Sequence, residues 1–412
     1  MRINLDGLSA LLLALVILST ANPWYSHYLM IEGLLVCLLV TSGSIFFAKK
    51  KTFLSKKLLL LVSLFSIVFF LQWAIYGLFP LVTIAGFFVR LLCAYFIVNI
   101  CKDFPLTFVK VIFVLSSISL LIWFLEVFTP LSVLVEAFPQ VYQHEESMWP
   151  RSLSPLYTSL TENLDSVVKR NAGFVWEPGA FAGINIMAII FCLLSFKNLS
   201  VKKRARYLVV FIMSVLSSQS TAAFLTLPIV LYLVYRRYVS KNRLSFREIS
   251  TSLLFAFTIL LPICVYLSNL PFVTDKIEQQ LQFAMIDSVG SGLNNSRFGS
   301  MLFDLTYIYE SPLIGNGLND ITRFRFHDID DLSAGHGNGL TDFIADFGLI
   351  VFAVMVWLIY QGISSYNRGD KISPVLWTLV ILMLLFSETY FNHPFFWCFV
   401  FLLGDTQRQS RY

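Results

Sequence analysis

Two arginines, Arg170 and Arg297, have the type and setting that most suggest chemistry in this chain. Lys169-Arg170 precedes Gly173-Phe-Val-Trp-Glu177-Pro178-Gly179, where a loop runs into an apolar stretch with a carboxylate in its first turn. Arg297 opens a segment in which Phe298, Met301, Leu302, Leu305 and Ile308 recur at helical spacing. Arginine presents a planar fork of donors that matches phosphate or pyrophosphate oxygens, so these two are candidate anion ligands. Each could equally be an interfacial anchor or half of a loop ion pair, and the same alternative holds for Arg323 and Arg325. His336 lies in Ser333-Ala-Gly-His336-Gly-Asn338-Gly, between glycines that would let a substrate approach. A histidine there could act as a general base near neutral pH, or be a solvated loop residue. Asp342 and Asp346 follow it and, being four apart, share a helix face. Arg90 falls near the middle of an apolar run, where a charge is costly. It is either a functional residue facing a cavity or part of an ion pair with Glu126 or Glu177.

Other chemistries lack their residues. His327, Asp328, Asp330 and Asp331 cluster on one loop, but no distant carboxylate or rigid spacing completes a calcium or zinc site, so no metal and no cofactor is expected. No GxSxG, P-loop or HExxH is found. The six cysteines show no CxxC or Cys/His spacing and read as small residues of apolar helices.

The elements that must position these residues follow from composition. The chain has 412 residues, is 57% hydrophobic and only 13% charged, with a mean hydropathy of +0.73. Soluble chains are normally about 25% charged, so this reads as an all-α polytopic membrane protein. A spanning helix needs roughly 20 apolar residues, which gives about twelve transmembrane helices. They fall near 6–22, 28–48, 58–78, 80–100, 106–129, 174–196, 207–218, 221–236, 249–268, 338–361, 373–388 and 394–404. Residues 1–412 thus form one integral membrane domain with two large outer loops, 130–173 and 269–337. With both termini cytoplasmic, seven cations lie outside and Arg90 in a span, which leaves 22 of the 30 Lys and Arg on the cytoplasmic side. The net charge of +5 is therefore a topology signature, and no nucleic-acid patch is indicated. Ser217-Ser218-Gln219-Ser220-Thr221 interrupts the short pair 207–218 and 221–236; this polar bend should face a protein-covered cavity or form a plain surface hairpin. The second loop holds Asp275–Ser291 and the amphipathic Arg297–Glu310, placed on the bundle or on the membrane surface. Ser311-Pro312 ends it and Gly315-Asn316-Gly317 turns the chain.

Arg170-Asn-Ala-Gly173-Phe-Val-Trp-Glu177-Pro178-Gly-Ala-Phe-Ala, Ser218-Gln-Ser220-Thr221, Asn295-Ser-Arg297 with Glu310-Ser-Pro312-Leu-Ile-Gly315-Asn-Gly317, and Gly335-His336-Gly-Asn338 with Asp346-Phe-Gly348 stand in order along residues 170–350. In this the chain resembles the O-antigen polymerases and O-antigen ligases of bacterial envelopes. One departure is that the histidine of the family's His-Asn pair would fall at Gly337, whereas the histidine here is at 336. The resemblance implies a metal-independent glycosyltransferase of the GT-C type in the bacterial inner membrane, with a periplasmic active site. Its donor and acceptor would be undecaprenyl-diphosphate-linked oligosaccharides, with membrane lipid around them and a chain-length regulator protein as a further partner. Arg170 and Arg297, with Arg90, would bind the diphosphate. Arg323, Arg325 and Asn338 are secondary candidates. His336, or failing it Glu177 or Asp342, would take the proton of the acceptor hydroxyl, with inversion. The Glu177-Pro178-Gly179 form favours a polymerase, which extends a lipid-linked repeat unit, over a ligase, which transfers the glycan to a lipid A core. A lipid-linked sugar flippase or other transporter is the third class; the unmatched halves of the chain speak against it.

Overall fold

The computed structural model describes residues 5–49, 55–129, 140–141, 151–160, 169–195, 198–239, 278, 297–325, 338–366, 370 and 372–402. His336, the expected span at 249–268, the Asp275–Ser291 segment other than Glu278, and the cluster from His327 to Asp331 lie outside them. In chain order the elements are α1 (Leu5–Ala21), α2 (Pro23–Tyr28), α3 (Ile31–Lys49), α4 (Lys56–Tyr76), α5 (Leu81–Ile100) and α6 (Phe104–Phe128). Three short strands follow, β1 (Gln140–Val141), β2 (Arg151–Ser154) and β3 (Tyr157–Leu160), and then α7 (Pro178–Leu194), α8 (Val201–Ser218) and α9 (Thr221–Val239). The remainder is α10 (Arg297–Glu310), α11 (Asp320–Arg323), α12 (Gly339–Ser364), α13 (Ile372–Ser387), a 3-10 turn at Tyr390–Asn392 and α14 (Pro394–Trp397).

This is a mostly helical membrane protein. Among the described residues α3, α4, α5, α6 and α12 are long and apolar enough to cross a membrane, while α1, α7 and α13 are apolar but shorter. Their outward faces carry large apolar side chains, as at Ile67 (57% exposed) and Phe70 (58%) on α4, which suits contact with lipid. The stretch expected to span at 394–404 is not one continuous helix over its described residues. Through residue 402 it holds only the four-residue α14 and a run of turns. Lys57 Nζ donates to the carbonyls of Val400 and Leu402, 3.3 Å each, so a side chain caps the end of this run.

The described residues group into two compact units. The first contains α1–α3, the end of α5, α6 to α9, the three strands and His393–Phe395. At its centre is α7, in which every residue from Pro178 to Leu194 is buried, as expected of a helix apolar on all sides. It packs against α6 and α8, and Ser116 Oγ of α6 donates to Asn185 Oδ1 at 2.8 Å. The loop after α6 forms a small antiparallel sheet, β1-β2-β3, which helical periodicity did not anticipate.

The second unit contains α4, α5 through Tyr95, α10 to α13 and residues 396–402. An aromatic cluster of Phe65, Phe87, Phe347 and Trp397 packs its centre, with ring centroids 4.6–5.7 Å apart. α12 is broken at Gly348, whose φ of 82° and ψ of 167° no helix contains. Residues 312–317 run against that break: Asn316 N donates to Ala345 O (2.8 Å), Gly317 N to Asp346 O (3.0 Å) and Leu349 N to Pro312 O (2.8 Å). Any Cβ at Gly315 would overlap the Asp346 carbonyl, and any at Gly348 that of Leu313, so two glycines permit the backbones to meet.

Candidate functional site

In the first unit, Arg170 belongs to a segment stapled from three directions. Trp123 Nε1 of α6 donates to Lys169 O at 2.7 Å, Thr158 N of β3 to Gly173 O at 2.7 Å, and Asn171 N to Ser217 O at 3.0 Å. Arg170 Nε itself reaches Ser218 O at 3.3 Å, and Asn171 Nδ2 reaches Ser217 Oγ at 3.0 Å. The polar bend at 217–221, turned by Gln219 at φ 48°, is therefore covered by protein, here by residues 170–171. Beneath the segment, the buried carboxylate of Glu126 accepts from Tyr157 Oη (2.7 Å), from Ser159 Oγ and from Lys169 Nζ (3.2 Å). Burial first, and the Glu126 charge second, push the Tyr157 phenol above its ordinary range. Glu177 is half-buried at the N-cap position of α7 without a capping side-chain bond, and the neighbouring Trp176 ring stacks on His393 at 4.4 Å.

In the second unit, Arg297 stands at the first position of α10 with a quarter of its side chain exposed. Its Nη2 meets Oε1 of the buried Glu388 at 2.9 Å. Its carbonyl accepts from Asn338 Nδ2 at 3.4 Å, while Asn338 Oδ1 caps α12 by accepting from Leu340 N and Thr341 N. Gly339 lets the start of α12 press on the backbone of Glu388 and Thr389. Arg297, Asn338 and Glu388 thus form one corner, where the first turn of α10 meets the start of α12 and the end of α13.

A second cluster lies on the buried side of α10. Arg323, 3% exposed, is held by Asp304 Oδ1 (2.5 Å), Asp342 Oδ1 (3.3 Å) and Asp346 Oδ1 (2.8 Å). Thr341 Oγ1 donates to the other oxygen of Asp304 at 2.6 Å. The guanidinium also lies 5.2 Å from the Tyr307 ring centre and 5.0 Å from that of Phe324. Burial alone would lower the Arg323 pKa; the three carboxylates more than reverse this and raise it. Asp342, proposed from sequence as a proton acceptor, is thus partnered by a cation, and Arg323 is a buried structural charge rather than an open anion ligand. Arg325 is exposed and sits over the Tyr76 ring at 4.9 Å, and Arg90 is half-buried on α5.

Two carboxylates essential to these clusters were not among the residues singled out by sequence. Asp304 lies on α10 with Arg297, Ser300 and Tyr307 at spacings of three and four, a polar stripe that could have marked a second buried face. Glu388 follows directly on the apolar run of α13, and an ionisable residue there is a signal in itself. Among the described residues no group of three or more His, Cys, Asp or Glu could hold a metal ion. Neither the family models nor the curated proteins contain a match to this chain.

Proposed function

We propose that the protein is a glycosyltransferase of the bacterial inner membrane, acting at its outer face on polyprenyl-diphosphate-linked oligosaccharides and working as a polymerase of surface polysaccharide. The observation that carries this reading is the setting of Arg297. It is a partly open guanidinium, braced by the buried Glu388, at the head of a helix whose apolar residues Leu302 and Leu305 face outward. A cation beside an apolar surface suits a ligand that is an anion at one end and a lipid at the other. The guanidinium would bind the diphosphate and stabilise the charge that grows on it as the glycosidic bond breaks. Arg170 is proposed for the same role on its own evidence, a half-buried guanidinium on a segment held by Trp123, Thr158 and Ser217. His336 is proposed to take the proton of the acceptor hydroxyl.

The test is purified protein incubated with a polyprenyl-diphosphate-linked repeat unit and no other acceptor. Longer lipid-linked products are expected. Arg297→Ala and Arg170→Ala, tested separately, should each slow their formation by roughly 10²–10³ at unchanged protein level, as for loss of a donor to transition-state charge. Products that form only when a lipid A core is added would make it a ligase. Movement of the lipid across vesicles without bond formation would overturn the transferase reading, and full activity in both arginine variants would remove the diphosphate role.

A further inference from the structure

We infer that α10 lies flat in the headgroup–acyl boundary of the bilayer, with Leu302, Leu305 and Tyr309 in lipid. The helix is amphipathic in reverse of a soluble one. Its buried side is Gly299, Ser300, Asp304 and Tyr307, whereas Leu302 and Leu305 are each 46% exposed and Tyr309 is 86% exposed. A surface helix in water turns its apolar stripe inward, and a stripe turned outward on a membrane protein faces lipid.

The depth follows from what holds its two ends. At the first turn, Arg297 is bonded to Glu388, directly after α13, and to Asn338, the cap of α12. Just past its last turn, Ser311 and Gly315 are bonded by the hydroxyl of Tyr76, the final residue of α4, at 3.2 Å each. The first turn of α10 is therefore tied to the start of α12 and the end of α13, and the segment just past its last turn to the end of α4, the level at which a spanning helix leaves the hydrocarbon, before that segment runs on to the break in α12. Trp73 and Phe79, 45% and 46% exposed, flank Tyr76 and form the aromatic fringe expected at that level. Leu81 and Val82, which open α5, are exposed as well, at 65% and 84%. At about 1.5 Å per residue, the 14 residues of α10 lie along roughly 21 Å of this boundary. The placement is independent of the transfer reaction.

The experiment uses the full chain in lipid nanodiscs, with Cys37 and Cys264 replaced by alanine. Leu302→Cys and Leu305→Cys, singly labelled with a fluorophore, are read against lipids carrying a nitroxide near the headgroup or deep in the acyl chain. Ile67→Cys, halfway along α4 and 57% exposed, serves as the deep reference. The expected result is that shallow nitroxides quench positions 302 and 305 about twofold or more over deep ones, with the order reversed at 67, for a helix buried ~5–10 Å. Quenching of 302 and 305 by aqueous iodide, without effect of either nitroxide, would put the helix in water and overturn the proposal. Protection from iodide and from both nitroxides would mean a protein cover, either a second copy or residues 240–296, and would overturn it equally.

Discussion

Replacing Arg323 by methionine removes one buried cation from among three carboxylates, and its cost can be worked from their surroundings. Asp304 has no exposed side-chain surface, whereas Asp342 and Asp346 retain 20% and 15%. Water can therefore relieve the latter two in part, but not Asp304, which also accepts from Thr341. Breaking a buried pair by removing one partner costs about 3–5 kcal/mol, and the partial exposure of two acceptors argues against summing three such losses. For a chain this long, a loss of that size should lower Tm by roughly 3–6 °C. The buried Cys93, Cys101, Cys192 and Cys398 offer the readout, since a thiol-reactive dye labels them only as the fold opens; the exposed Cys37, and Cys264, which lies outside the described residues, are first replaced by alanine. The sign with pH also follows. A guanidinium whose pKa is raised in the fold contributes fully at every pH below its ordinary range, so the wild type keeps this contribution throughout the working range. Adding Asp304→Asn to Arg323→Met should recover part of the loss, because it removes the least solvated charge. An unchanged Tm for Arg323→Met, or further loss in the double variant, would refute the reasoning.

Two more outcomes are expected. Tyr157→Phe deletes a donor to the buried Glu126 and should cost about 1.5–3 kcal/mol locally, seen as faster amide exchange at Thr158 and Gly173 with none added in α12. Because the phenol is raised above its ordinary 10, its contribution is complete below that value and is lost as pH climbs beyond it, so Tyr157→Phe should also abolish the alkaline part of that exchange. Gly77→Ala and Gly348→Ala both put a side chain at positive φ, 70° and 82°. A Cβ at 77 meets nothing within 4 Å and should cost only about 1–2 kcal/mol, whereas one at 348 overlaps the Leu313 carbonyl and should prevent stable accumulation of the protein.

Apolar runs and their breakers were enough to locate α4, α5, α6 and α12 within a few residues, and α10 began and ended where its spacing said. Its orientation was harder to foresee. Spacing identifies a stripe but not the medium that the stripe faces, and with lipid outside, the polar side went in. The final apolar run, 394–404, matched a span in composition, but side-chain capping by Lys57 is a contact 343 residues away in sequence and invisible to a sliding window. Separation in sequence also hid the Glu388 partner of Arg297, 91 residues off. Asp342 and Asp346 were placed on one face correctly, yet that they converge on Arg323 depends on how the loop at 312–317 enters the break in α12.

That break bears on how the protein is assembled. A helix interrupted within its apolar length leaves carbonyls and amides that lipid cannot satisfy, each at a cost of several kcal/mol. Here Asn316, Gly317 and the Pro312 carbonyl supply the missing partners, and all of them precede α12 in the chain. They are made before the helix that needs them and can be waiting when it arrives. Residues 312–317 should accordingly tolerate insertion no better than the interior of a helix, and α12 cannot reach its final form in a fragment that begins at Gly339.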